Sequence, residues 1–180
     1  MKKALERGDS TKEIARLEKK GFNLRRVFGL AKVAPLSEII SDRLADEPDL
    51  KVVLAFYHTD VGRAYMSALK RWHPLFYDGG TPPAKKPQIV KTFQTVKKHR
   101  IIVGQLQAIG VGQDCSAARS LIFAEWSHIG VENEQMMARV FNMNALDPCF
   151  VEFAVLPGSL DLAIAANAQA KLATAEKIFG

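Results

Sequence analysis

Cysteine is scarce in this 180-residue chain: Cys115 and Cys149 stand far apart, with no CxxC or CxxH spacing beside either. That excludes a disulfide framework and a cysteine-built zinc site, and makes a reducing compartment the expectation. Long apolar runs are missing too. No stretch approaches the roughly 18 residues a membrane-crossing helix needs. The opening MKKALERGDSTKEIARLEKK keeps returning to charge instead of leading into the apolar region of a signal peptide. A soluble, intracellular protein with no membrane partner is expected. The four histidines are dispersed, and none is paired with another His or Cys at ligand spacing, so no metal site and no acid–base pair is indicated.

A phosphate-binding loop is also absent. Such a loop is Gly-rich and ends in GK[ST], so that backbone N–H groups and the lysine hold the phosphates. Here Gly79-Gly80 runs into Thr81-Pro82-Pro83, which reads as a turn before a helix whose first residues are prolines. Asp46-Glu47-Pro48-Asp49 resembles the acidic box that holds magnesium in helicases. A working box ends a buried strand, however, whereas SEIISDRLA before it has helical period and Pro48 forces an exit. A solvated helix end is the expectation.

What is present is enough apolar sequence, 48%, for one domain with a full core, and a net charge of +6 compatible with an anionic partner. Residues 1–21 read as a peripheral charged helix and 22–180 as the domain proper. Five short apolar runs, KVVLAFY, PLFYD, RIIVGQ, SLIFAE and FVEFAVL, alternate with helical stretches around 36–46, 60–71, 84–94 and 131–141. Continuous apolar strands separated by helices predict an α/β fold, a mostly parallel sheet with helices on both faces. An Ala-rich helix, LDLAIAANAQAKLATAEKIF, is expected to close it. Ligands of such sheets gather in the loops after the strands. Those loops are 57–60, 78–83, 104–114, 125–130 and 156–159.

Two segments carry the candidate chemistry. Gly110-Val111-Gly112-Gln113-Asp114 follows a strand. Its glycines allow close backbone approach, and Asp114 or Ser116 is placed to cap a short helix or touch a ribose or phosphate; a plain structural turn is the other reading. In EQMMARVFNMNA, Gln135 and Arg139 lie one helical turn apart and share a face, while Met136, Met137, Val140 and Phe141 are expected to pack inward.

From Gly110 to Asp161 the order GVGQDCS, IFAE, WSHIG, QMMARVFNMNA, FVEFAVL, GSLD resembles the fifth and sixth motifs of Swi/Snf-type DNA-translocating ATPases of helicase superfamily two, without a gap. RRVFGLAKV resembles the start of that family's second motor lobe, KVVLAFYHTDV its fourth motif, and YDGGTPPAKKPQIVKTFQ its DGxTxxxxRxxxxxxF segment, with Lys86 at the arginine position. The resemblance covers about residues 22 to 180. It implies a RecA-like lobe of P-loop NTPase type that lacks its own phosphate loop.

Several roles follow from the resemblance alone. Gly110, Gly112, Asp114 and Gln135 are implied to approach the nucleotide, Arg139 to be the first sixth-motif arginine, and Asn142 to stand where the arginine finger belongs. Asparagine is neutral and short and does not replace that charge. DNA contacts are implied for His58, Thr59, Gly80, Thr81, Lys85, Lys86 and Gln105. The basic run Lys97, Lys98, His99, Arg100 reads equally as a DNA contact or as a solvated link before a strand. His128 lies in the loop where the family has tryptophan, with Trp126 two residues before it. The implied function is half of an ATP-driven motor, inactive without a first lobe in cis or in trans, binding ATP with magnesium only once completed. A piece of a longer motor and a naturally short product both fit. The other reading is a degenerate lobe kept as a module that binds DNA or a helicase.

Overall fold

The computed structural model describes residues 24–109, 113–127, 130–140, 148–157 and 161. The expected first and last helices, Gly110, Gly112, His128, Phe141 and Asn142 lie outside the described residues.

Each apolar run becomes a strand: β1 Val52–Phe56, β2 Leu75–Tyr77, β3 Ile101–Gln105, β4 Ser120–Phe123 and β5 Phe150–Phe153. They form one sheet in the order β2-β3-β1-β4-β5, and every pairing is parallel. Parallel neighbours need crossovers, which the helices supply. These are α1 Leu24–Ala31, α2 Val33–Asp46, α3 Thr59–Ala68, a 3-10 turn Lys70–Trp72, α4 Lys86–Thr95, the short α5 Leu106–Ile109 and α6 Gly130–Val140.

Strand alternation divides the core between two faces. Val53, Ala55, Ile102, Leu121 and Phe123 pack with Val90 and Phe93 of α4 and Met136 and Val140 of α6. Val52, Leu54, Phe56, Ile101, Val103 and Ile122 pack with Leu36, Ile40 and Leu44 of α2 and Val61 and Tyr65 of α3. Full burial on both sides is why these strands read as continuous apolar runs. α2 ends at Asp46, and Glu47, Pro48 and Asp49 are exposed, so this stretch is a solvated helix end.

Two local expectations change. The prolines at 82 and 83 do not open the helix. The Asp78–Thr81 turn closes first, with the Thr81 hydroxyl donating to Asp78 Oδ1 at 2.9 Å, and it is Pro87 that occupies the first turn of α4. Asp114 does not cap a helix; its Oδ1 accepts from the Ser116 N–H at 2.9 Å and closes a turn.

Candidate functional site

The loops after β1, β2 and β3 meet at the carboxyl edge of the sheet. Gln105, the last residue of β3, bridges the other two: its Oε1 accepts from the Gly79 N–H at 2.9 Å and its Nε2 donates to the Tyr57 carbonyl at 3.1 Å. The side chain implied to touch DNA thus also sets the spacing of two loops. His58 precedes α3, and Thr59 is its first residue; both are half-buried. Gly80 and Lys85 are exposed, Thr81 is half-buried, and the Lys86 ammonium lies 5.3 Å from the centre of the Tyr77 ring. The edge therefore gathers His58, Thr59, Gly80, Thr81, Lys85, Lys86 and Gln105.

A network that sequence reading missed lies under this edge. Glu125, just beyond β4 and 4% exposed, accepts from the backbone N–H groups of Tyr57 at 3.0 Å and His58 at 2.9 Å through Oε2. Its Oε1 sits 2.7 Å from His58 Nδ1. Gly29 of α1 makes room for it, since a Cβ there would fall 2.7 Å from Glu125 Oε1. Arg25 donates to the Trp126 carbonyl at 2.6 Å and lies over the Tyr57 ring. Beside it Lys32, with its side chain 5% exposed, donates to Asp161 at 2.9 Å and to the Ala154 carbonyl at 2.8 Å. The cavity among Arg25, Glu125, Trp126 and Asp161 is only about 10 Å³, whereas ligand pockets run to hundreds of Å³. This network positions loops; it does not enclose a ligand. The sequence signal was a glutamate ending a strand, and its partners lie in segments distant along the chain.

Of the candidate nucleotide residues, Asp114, Gln135 and Arg139 are among the described ones. α6 connects two parallel strands and so runs back from the carboxyl edge across the α4 face. Gln135 on it is exposed and Arg139 half-buried. The Arg139 carbonyl accepts from the Cys115 N–H at 2.9 Å, and the Asp114 carbonyl accepts from Gln94 Nε2 at 2.9 Å. The segment at Asp114 and Cys115 is therefore docked against the end of α6 and against α4. Met136 and Val140 are buried and Met137 packs against the same core, as their spacing predicted. Burial pushes the Cys115 thiol up to about 12, with Asp114 adding to the rise and Arg139 opposing it.

Lys97, Lys98 and Arg100 are not with the other DNA candidates. They precede β3 and lie at the opposite, amino edge. Arg100 is engaged within the fold, donating to the carbonyls of Leu44, Glu47 and Pro48 at 2.9, 2.9 and 3.0 Å.

Neither the protein-family models nor the curated proteins give any match. Among solved structures the chain is similar to the C-terminal part of the Fun30 ATPase domain, with a TM-score of 0.70 and 19% identity, over 76% of this chain and 44% of that one. The chain thus spans less than half the length of that structure. The shared architecture is a RecA-like α/β fold.

Proposed function

We propose that this chain is the second lobe of a two-lobed, Swi/Snf-type DNA-dependent ATPase or annealing helicase, supplying DNA contacts and part of an ATP site and inactive by itself. The observation that supports this most is the parallel sheet in the order β2-β3-β1-β4-β5, similar to the C-terminal part of an ATPase domain, with motif-like segments following its strands in register.

On this reading Arg139 and Gln135 face the nucleotide from α6, and a first lobe brings the phosphate loop, the acidic box and the magnesium. The carboxyl-edge residues around Gln105 meet the DNA backbone. An arginine finger neutralises charge on the transferred phosphoryl group and is worth about a thousandfold or more. Asn142 lacks that charge, so turnover is expected to be slow even in the completed motor.

The test is ATP turnover, with and without DNA, of this chain joined to a lobe carrying GK[ST] and an acidic box. DNA-stimulated turnover that needs both lobes and rises in Asn142→Arg is the expected result. No turnover in a verified complex, even with that substitution, overturns the reading. Asn142 also favours a second reading, a non-catalytic module that binds DNA or a helicase. Its mark is a tight complex with a helicase whose ATP turnover falls when this chain is added.

A further inference from the structure

The amino edge of the sheet carries a cationic surface, which includes the basic run at 97–100 and lies at the opposite edge from the loops around Gln105. Two links arrive there side by side. One leaves α3 through the 3-10 turn Lys70–Trp72 and His73 into β2; the other leaves α4 through Val96 to Arg100 into β3. β2 and β3 are parallel neighbours, with Leu75 opposite Ile102, so both links lie at one edge. His99 Nδ1 stands 2.8 Å from the His73 carbonyl and joins them.

Lys70, Arg71, His73, Lys97 and Lys98 are all exposed. None of them is in an ion pair among the described residues. The frame beneath is fixed. Trp72 Nε1 donates to Ser41 Oγ at 3.0 Å, and the Arg71 and Arg100 guanidinium groups both lie over its ring, at 5.0 and 4.9 Å. Arg100, held on three carbonyls, braces this frame. His73 sits in the left-handed region, with φ 49° and ψ 54°, although Pro74 favours extended backbone before it. Such strain persists where the surroundings impose it and concentrates at functional sites.

We propose that this edge is a second nucleic-acid surface, on which Lys70, Arg71, His73, Lys97 and Lys98 bind the phosphates of a duplex independently of the carboxyl-edge loops. The choice of nucleic acid rests on the reading of the chain as a lobe of a DNA motor; the surface itself rests on its charge. Exposed Asp46, Glu47 and Asp49 bound it on the flank beyond Arg100. A membrane-binding surface would add inserted apolar groups to the cations. Val96 is the one exposed large apolar side chain on these two links.

The experiment titrates the full chain with a short labelled DNA duplex across a salt series, checking by thermal unfolding that each variant folds. The triple variant Lys70→Gln, Lys97→Gln, Lys98→Gln is expected to bind about tenfold more weakly or worse, with the slope of log affinity against log salt shallower by about one per lysine removed. If the triple variant fails to fold, Lys97→Gln with Lys98→Gln is read instead, and its slope is expected to fall by about two. Lys85→Gln with Lys86→Gln should leave that loss intact. Wild-type affinity and slope in the amino-edge variants overturn the proposal. So does a wild-type chain that fails to bind duplex at low salt, or that prefers phosphatidylserine vesicles. Loss confined to the Lys85 and Lys86 substitutions also overturns the second surface while leaving the motor-lobe reading standing, because that reading is decided by turnover with a first lobe.

Discussion

The Glu125 carboxylate holds His58 from two directions, accepting its backbone N–H at 2.9 Å and meeting its ring Nδ1 at 2.7 Å. The Tyr57 N–H occupies the same carboxylate, so one side chain fixes the whole turn between β1 and α3. Removing it takes away the acceptor of the Tyr57 and His58 N–H groups in a part-buried setting. Glu125→Ala is expected to cost about 3 kcal/mol, and Glu125→Gln less, because an amide oxygen still accepts. Urea denaturation of the two variants measures the order; equal stability in both would contradict this account.

Gly62→Ala sets helix propensity against packing. Alanine in mid-helix is worth about 1 kcal/mol over glycine. The new Cβ would stand 2.5 to 2.7 Å from three carbons of the Phe56 ring, which is fully buried and stacked on Phe76 with centroids 5.5 Å apart. The ring has nowhere to go, so a net loss of about 1–3 kcal/mol is expected, seen as a lower thermal midpoint.

His73→Gly should move stability the other way. Left-handed backbone costs a side-chain-bearing residue about 1–2 kcal/mol, part of which glycine gives back through a looser unfolded chain. A gain of roughly 0.5–1 kcal/mol remains, with the carbonyl that meets His99 retained. Thermal unfolding checks it, and duplex titration of the same variant should show weaker binding.

Both thiols should resist alkylation. Burial pushes Cys115 up to about 12 and Cys149 to about 11, the latter partly offset by a backbone hydrogen bond from Leu121. At pH 8 native protein should react with iodoacetamide far more slowly than urea-unfolded protein. The sign for stability follows from linkage: above the ordinary thiol value of 9.0 the unfolded chain releases protons the folded chain keeps, so stability falls as pH rises from there toward 11 and 12.

The Arg43–Glu152 pair joins α2 to β5 with both guanidinium nitrogens engaged. The hydrogen bond from Arg43 holds the Glu152 carboxyl below its ordinary value of 4.5. A depressed carboxyl contributes stability above the unfolded value and loses it as pH falls through the folded one. Glu152→Gln should therefore flatten the loss of stability below pH 4.5. The gain at neutral pH is small, since both side chains are about two-fifths exposed and solvent screens them.

β1, β3 and β4 were legible because two-sided burial demands continuous apolar runs, β2 and β5, which are less buried, through their aromatic and β-branched residues, and the helices between the strands kept their period. α2 begins at Val33 and not at 36, since Pro35 is tolerated in a first turn whose N–H groups have no partner there. α1 was not read as a helix. Gly29 looks like a breaker, yet it is there to admit the Glu125 carboxylate, a neighbour that no local pattern discloses. The site was legible only as motifs. Lys32 and Asp161 are joined through space across 129 residues of sequence, and Glu125 and His58 across 67. Arg100 looked like one more member of a basic run until its three carbonyl partners gave it a different task.

The first strand among the described residues is also the central one. Val52 pairs with Ile101 on one side and Ser120 on the other, so VVLAF leaves the ribosome long before either neighbour exists. Until synthesis passes Gln105 both edges of this strand are bare, and until it passes Phe123 one still is, an unpaired edge of the kind that templates aggregation. Chains cut short of that residue should accumulate as insoluble protein, and any nascent-chain chaperone that meets this product would find its substrate in the segment between β1 and β4.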